Sequence, residues 1–232
     1  SNFTDFSWLE RTGPLHVFYT DEPSELEQAD MIVLPGSKNT ISDLLHIRQK
    51  GLDSKIREAE AAGKIVVGIC GGYQMMGLTI ADPYGMEGEP RTVEGLALLP
   101  VHTTLTREKT TVLRKFRFAG PAGPLCEGYE IHMGQTFLPE NAHPLNYADV
   151  DNGEADGYFH SPICWGTYMH GILDNRPVVE YLLQQAGAGH LDIKGSDYTA
   201  YKQKQYDALA EHIRQHIDLP FIYRSLRQPS SI

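Results

Sequence analysis

The sequence predicts an α/β fold: a mostly parallel central sheet covered by helices on both faces. Three observations carry this expectation. Apolar runs of strand length alternate with stretches of helical period along the first half of the chain. The runs are nearly continuous in apolar character, the mark of strands buried on both faces. Each is closed by glycine or proline, the strongest punctuation of a chain.

In order, His16–Thr20 (HVFYT) reads as a first strand and Ala29–Leu34 as a second, buried on both faces and ended by Pro35-Gly36. Thr40–Lys50 has helical spacing at Ile41, Leu44, Leu45 and Ile47 and stops at Gly51. A second helix runs from Leu52 to Ala62 and stops at Gly63. Lys64–Cys70 (KIVVGIC) is short and β-branched, the strongest strand of the chain, and Tyr73–Leu78 then turns helical. From Gly95 to Thr167 the composition shifts to Thr, Tyr, Phe and Gly, giving strands and loops. Helices return at Pro177–Gln185 and at Tyr198–His216, the latter with Tyr201, Ala208, Leu209 and Ile213 near one face. No repeat or low-complexity linker divides the chain, so one domain over residues 1–232 is expected.

Composition narrows the function. The chain has 232 residues, 41% of them apolar and 22% charged, as in ordinary globular proteins. Twenty basic against thirty acidic residues leave a net charge of −10, and no basic patch offers itself to nucleic acid. No apolar run reaches membrane-spanning length, and the first residues lack the pattern of a signal peptide. Three widely spaced cysteines point to reduced thiols, and so to a cytoplasmic location. The absence of an initiator Met before Ser1 suggests a fragment of a longer chain.

The chemistry centres on Gly68-Ile69-Cys70-Gly71-Gly72-Tyr73-Gln74. A cysteine at the end of a buried strand, followed by glycines and a helix, is the pattern of a nucleophile elbow. The small neighbours let the chain turn tightly, and the first N–H groups of the helix point at the reacting centre, where they can receive an oxyanion. A buried structural cysteine is the bland alternative. A thiol nucleophile needs a base, and His170 in Trp165-Gly166-Thr167-Tyr168-Met169-His170-Gly171 ends another strand-like run. Strand ends on one edge of a parallel sheet converge on a shared crevice, so the two can meet. Pro35-Gly36-Ser37, also at a strand end, could add a backbone N–H.

These residues carry a resemblance. Leu34-Pro35-Gly36-Ser37-Lys38-Asn39-Thr40, the elbow, Tyr168-Met169-His170-Gly171, Gly128-Tyr129-Glu130-Ile131-His132-Met133-Gly134 and the opening Ser1-Asn2-Phe3-Thr4-Asp5-Phe6 together resemble class I glutamine amidotransferase domains, in particular the glutaminase domains of the cobyric acid synthase family. The resemblance implies a three-layer, flavodoxin-like fold. It implies Cys70 as nucleophile, His170 as base, backbone N–H groups near Gly36 and Gly71 as oxyanion hole, and Gln74 as a substrate-holding residue. It implies glutamine as substrate, with ammonia passed to an N-terminal synthetase domain that binds ATP and Mg2+ and amidates a corrinoid. No cofactor or metal is implied on this domain, and the strand that precedes SNFTDF in the family is missing here.

Two departures stand out. The Glu that completes many class I triads two residues after the His is replaced by Ile172, so a Cys–His dyad is expected. Glu130 and Asp174 are the acidic candidates for a third member. No phosphate-binding G-x-x-x-x-G-K-[ST] occurs, since Gly63-Lys64 is followed by Ile65. His212 and His216 have metal-like helical spacing but lack further ligands, and read as a solvated face. Cys126 and Cys164 read as buried hydrophobes, and Tyr198, Tyr201 and Tyr206 as packing against the sheet. Glu130 and His132 share one strand face. The competing functions are a glutaminase subunit that serves amidation of the peptidoglycan precursor lipid II, a non-catalytic interaction domain and a cysteine hydrolase.

Overall fold

In the computed structural model, residues 3–148, 155–193 and 198–227 are described. They fall in two compact units, residues 1–193 and 194–232. The described strands, in chain order, are β1 Met31–Leu34, β2 Ile65–Ile69, β3 Thr79–Asp82, β4 Arg91–Glu94, β5 His102–Phe118, β6 Leu125–Phe137, β7 Asn146–Ala148, β8 Tyr158–Ser161, β9 Cys164–Thr167 and β10 Met169–His170. The helices are α1 Pro23–Leu26, α2 Thr40–Gln49, α3 Leu52–Ala61, α4 Gly71–Met76, α5 Arg176–Gln185, α6 Tyr198–His216 and α7 Leu219–Arg227.

The first unit holds a four-stranded sheet in the order β1-β2-β9-β8. β1, β2 and β9 are parallel and β8 is antiparallel to β9, so the expected α/β architecture with a mostly parallel central sheet is the one that forms. β2 is buried at every position, as a central strand with two covered faces must be. Beneath β1 and β2, Ile32, Leu34 and Val66 pack with Ile41 and Leu44 of α2 and Leu52 and Ile56 of α3. Asn39 caps α2 by accepting the Ser42 N–H at 3.1 Å.

Two expectations at the sheet edge are corrected. β1 is buried at Ile32 and Leu34 and only half-buried at Met31 and Val33. His16–Thr20 joins no ladder. It runs along a cleft of about 360 Å3 whose other wall includes Met31–Leu34. A strand needs a partner within hydrogen-bonding reach, about 4.8 Å away, and the cleft keeps β1 from serving as one.

A second sheet, β10-β6-β5-β3-β4 with β7 on β5, is largely antiparallel. The long β5–β6 pair carries it, with β3 parallel to β5. The chain changes sheets at Tyr168: Gly166 of β9 pairs with Gly68 of β2, whereas His170 of β10 pairs with Tyr129 of β6. Asp156 braces this switch. Its buried carboxylate accepts hydrogen bonds from the Thr167 hydroxyl, the Asn146 amide (2.9 Å) and the Tyr168 N–H (2.9 Å).

In the second unit, α6 has the bounds that the sequence predicts, and α7 was not anticipated. Within this unit Tyr206 is 61% exposed and Tyr201 is half-buried. The Tyr198 side chain lies outside the described residues. His212 and His216 are exposed and stack at 4.2 Å between ring centroids. Among the described residues, no helix is long and apolar enough to cross a membrane.

Candidate active site

Cys70 sits between the end of β2 and the start of α4 with φ 53° and ψ −112°. This backbone conformation is rare for a residue with a side chain and persists only where its surroundings impose it. Here the Cys70 N–H donates to Thr167 O at 2.8 Å, and its carbonyl accepts from the Gln74 N–H at 3.1 Å. The turn also depends on glycine. A Cβ on Gly72 would lie 2.0 Å from Leu34 O, and one on Gly71 would lie 2.7 Å from Ser37 N. The elbow thus packs directly on the backbone that follows β1. The first N–H groups of α4 have no acceptor within the helix. Cys70 lines a pocket of about 510 Å3, with Ile131 O 3.7 Å from its Sγ.

His170, at the end of β10, lines the same pocket. Gly36 lies against both residues: a Cβ there would be 3.0 Å from His170 Cε1, 3.7 Å from its Nε2 and 3.6 Å from Cys70 Cβ. The imidazole is fixed from behind, where its Nδ1 lies 2.7 Å from Asp5 Oδ2. Asp5 Oδ1 accepts the Gly171 N–H at 3.0 Å, so one carboxylate holds both the ring and its backbone. Tyr129 stacks on the ring at 5.2 Å. Burial works against the imidazolium, but hydrogen bonds to Asp5 and Cys70 and the charges of both outweigh it, and the His170 pKa is pushed up to about 9.

The other singled-out residues are placed as follows. Gly71 opens α4. Gln74 is buried with its amide engaged: Nε2 lies 3.1 Å from both Met133 O and the Tyr168 hydroxyl, and Oε1 accepts from the Thr40 hydroxyl at 3.1 Å. It ties α4 to α2, β6 and the sheet switch, and it also lines the pocket. Glu130 is not behind His170. It pairs with Arg114 Nε at 2.9 Å and lies 3.4 Å from His132 Nε2. Burial opposes its charge, but these two neighbours outweigh it and hold the carboxyl below the usual range. Asp174 lies in the single turn that follows His170, and the Nδ1 position expected of a third member is taken by Asp5. Cys126 and Cys164 are buried, and burial pushes both thiols up to about 12. Among the described residues no group of three His, Cys, Asp or Glu could hold a metal ion.

Asp5 is the residue that sequence reasoning missed. Its one signal was its place within the opening stretch SNFTDF. The pocket also carries Lys38, Glu87 and Lys109. Glu87 accepts the N–H groups of Thr40 (2.8 Å) and Ile41 (2.7 Å) at the start of α2, and Asp82 fixes it by accepting the Met86 and Glu87 N–H groups at 2.8 Å.

Comparison with known proteins shows the family and the fold. The profile of the CobB/CobQ-like glutamine amidotransferase domain matches residues 1–178. The cobyric acid synthase of Bacteroides fragilis is 49% identical over 228 residues, covering 97% of this chain and 45% of that protein. The cobyric acid synthase of Parabacteroides distasonis is 45% identical over 229 residues, covering 98% and 46%. The chain therefore spans a little under half the length of these relatives. Among solved structures, a glutamine amidotransferase superposes with a TM-score of 0.59 at 18% identity, over 81% of this chain and 95% of that one. PurLQS from Thermotoga maritima gives 0.57 at 17%, over 79% and 93%. At such identities the likeness speaks to the fold, which is that of class I glutamine amidotransferases. With the profile spanning most of its length and the relatives nearly all of it, the chain belongs to the CobB/CobQ-like glutamine amidotransferase family.

Proposed function

We propose that this chain is the glutaminase part of a cobyric acid synthase, releasing ammonia from glutamine for amidation of corrin-ring carboxylates in cobalamin biosynthesis. The observation that carries the chemistry is the meeting of Cys70 and His170 over Gly36, with Asp5 behind the imidazole. Cys70 Sγ, whose proton has already passed to His170, attacks the side-chain amide carbon of glutamine. The carbonyl oxygen becomes an oxyanion that accepts backbone N–H groups near Gly71 and Gly36. His170 then gives its proton to the amide nitrogen, the C–N bond breaks, and ammonia leaves a γ-glutamyl thioester. An imidazole that holds its proton to about pH 9 is suited to this acid step. Water, deprotonated by His170, attacks the thioester and frees glutamate and the thiol. Asp5 keeps the Nδ1 proton in place, so that Nε2 does this work. Lys38, Lys109 and Glu87 give the pocket the two signs of charge that a zwitterionic amino acid requires.

The ammonia goes to a synthetase part outside residues 1–232. There ATP and Mg2+ activate carboxylates of adenosylcobyrinic acid a,c-diamide, which become the amides of adenosylcobyric acid. The shared length with the relatives supports that division, because 45% of the B. fragilis protein is covered. Three free cysteines fit a reducing, cytoplasmic setting.

The test is glutamate release from glutamine by the amidating enzyme, loaded with ATP and corrinoid, compared with its Cys70→Ala variant. Release by the first and none by the second is expected. Equal release by both would remove Cys70 from the reaction, and no release by either would leave a scaffolding role.

A further inference from the structure

Among the described residues that line the pocket of the sulfur, Glu87 has the single carboxylate side chain. The turn that carries it is held from several sides. Asp82, wholly buried, accepts the Met86 N–H on one oxygen and the Glu87 N–H on the other, both at 2.8 Å. Gly85, within this turn, has φ +63°, and a Cβ there would lie 2.5 Å from Gly88 O, so the turn closes on itself. Arg107 of β5 lies over the Tyr84 ring at 5.2 Å and ties the turn to that strand. From this turn Glu87 reaches the start of α2, where one of its oxygens accepts the Thr40 N–H at 2.8 Å and the other the Ile41 N–H at 2.7 Å.

The consequence is a reversal of sign. The start of a helix has unpaired N–H groups and a partial positive charge, and it draws anions. Here two of those groups are taken up by Glu87, so this end of α2 turns a carboxylate toward the pocket in place of donors. The carboxylate is half-buried, and it has acceptor capacity to spare, because each oxygen carries two lone pairs and receives one N–H. Among the described residues no lysine or arginine pairs with it, although the exposed Lys38 and Lys109 line the same pocket. A fixed carboxylate with open acceptor sites and no side-chain counter-charge is a site for a cationic donor. Its place along the pocket is set by the chain. Thr40 follows Gly36 by four residues, and Gly36 lies against Cys70 and His170. One short stretch therefore runs from the reacting centre to Glu87.

We infer that Glu87 binds the α-ammonium group of the substrate, and that it is the residue that selects an α-amino acid amide over an amide that lacks the amine. The inference rests on the glutaminase reading, which supplies the substrate, and it adds the orientation. With the side-chain amide at Cys70, the ammonium lies toward the start of α2 and the α-carboxylate toward the lysines. The division of labour follows from rigidity. Glu87 is positioned by backbone N–H groups on both sides of the pocket, whereas the two lysines are long, exposed and free to follow the carboxylate. An amide without the amine leaves the Glu87 carboxylate desolvated and unpaired, which is the costly half of such recognition.

The test compares the complete amidating enzyme, loaded with ATP and corrinoid, with its Glu87→Gln and Glu87→Asp variants. The substrates are glutamine and glutaramate, which is glutamine without its α-amino group, and each is followed by release of its dicarboxylate product. Glutaramate is also read as a competitive inhibitor of glutamine hydrolysis, which gives its affinity where its turnover is slow. The unsubstituted enzyme is expected to prefer glutamine by at least about 100-fold in kcat/KM. In Glu87→Gln, kcat/KM for glutamine is expected to fall about 100-fold while the glutaramate values change by less than about threefold, so that the preference is lost. Equal losses for both compounds would show that Glu87 acts only through the start of α2, and would overturn the inference, as would unchanged glutamine hydrolysis. Absence of any preference in the unsubstituted enzyme overturns it without a variant. If Glu87→Gln fails to fold, Glu87→Asp decides: it keeps the charge but draws it back, and a loss of about tenfold confined to glutamine is expected, against an equal loss for both. Absence of glutamate release from the unsubstituted enzyme overturns the glutaminase reading, and the inference with it.

Discussion

Asp5 Oδ2 lies 2.7 Å from Nδ1 of His170, across 165 positions of sequence. This contact brings a carboxylate from near the start of the chain to the far side of the imidazole, where Ile172 supplies none. Asp5→Asn keeps the shape but cannot stabilise an imidazolium, and it can impose the wrong tautomer on the ring. The expected result is a fall in kcat for glutamine hydrolysis of about 10²- to 10⁴-fold with KM nearly unchanged. Steady-state kinetics check it, and a kcat within threefold of the unsubstituted enzyme contradicts it.

This contact, together with that of Cys70, sets a pH dependence. The folded His170 pKa, about 9, lies above its ordinary value of 6.5, because the two partners outweigh burial. Their joint contribution to stability is therefore fully present below pH 6.5 and is lost as pH rises through about 9. A shift of this size corresponds to at most about 3 kcal/mol. Denaturant titrations at stepped pH should show stability declining over that window, and the decline should flatten in Asp5→Asn. NMR titration of the His170 ring gives the pKa directly, and a midpoint near 6.5 contradicts the assignment.

The three thiols should separate by reactivity. Cys70 lines a pocket of about 510 Å3, whereas Cys126 and Cys164 are almost wholly buried and burial pushes their thiols up to about 12. Brief treatment of the folded protein with iodoacetamide is expected to alkylate Cys70 at least about tenfold faster than the others. Peptide mass spectrometry reads the sites. Equal labelling of all three would mean that the elbow gives Cys70 no advantage.

What the sequence reveals follows the range of the interactions involved. β2, the elbow and α4 are set by a continuous apolar run and the glycines beside it, all within ten residues, and they were legible. His16–Thr20 has the composition of a strand, but a strand exists only against a neighbour, and no local signal reports the cleft beside β1. The run from Trp165 to His170 was legible as one strand ending at His170. That it changes sheets at Tyr168 depends on Asp156 and Asn146, which no pattern links to it. Asp5 was illegible as a partner of His170 because a carboxylate in a short 3-10 turn has no period and no spacing rule. Only the folded chain brings it there. β3 and β4 were missed because four-residue strands beside an Asp-Pro and several glycines resemble a loop.

Gly36 and Gly72 offer a contrast that separates chemistry from folding. Neither has a positive φ, so alanine suits both backbones and only space decides. At Gly72 the new Cβ would lie 2.0 Å from Leu34 O, backbone against backbone, and β1 and α4 cannot both stay in place. Gly72→Ala is expected to lose more than about 3 kcal/mol or fail to fold. At Gly36 the nearest atom is His170 Cε1 at 3.0 Å, with Cys70 Cβ at 3.6 Å. The ring must yield by a few tenths of an ångström, yet Asp5 and Tyr129 hold it from two other sides. Gly36→Ala is therefore expected to keep its stability within about 1 kcal/mol while glutamine hydrolysis falls at least about tenfold, because small misplacements of reacting groups are costly. Denaturation midpoints and glutamate release, measured on both variants, check the contrast. Full activity in Gly36→Ala would show that the imidazole and the sulfur do not need the spacing that this glycine leaves them.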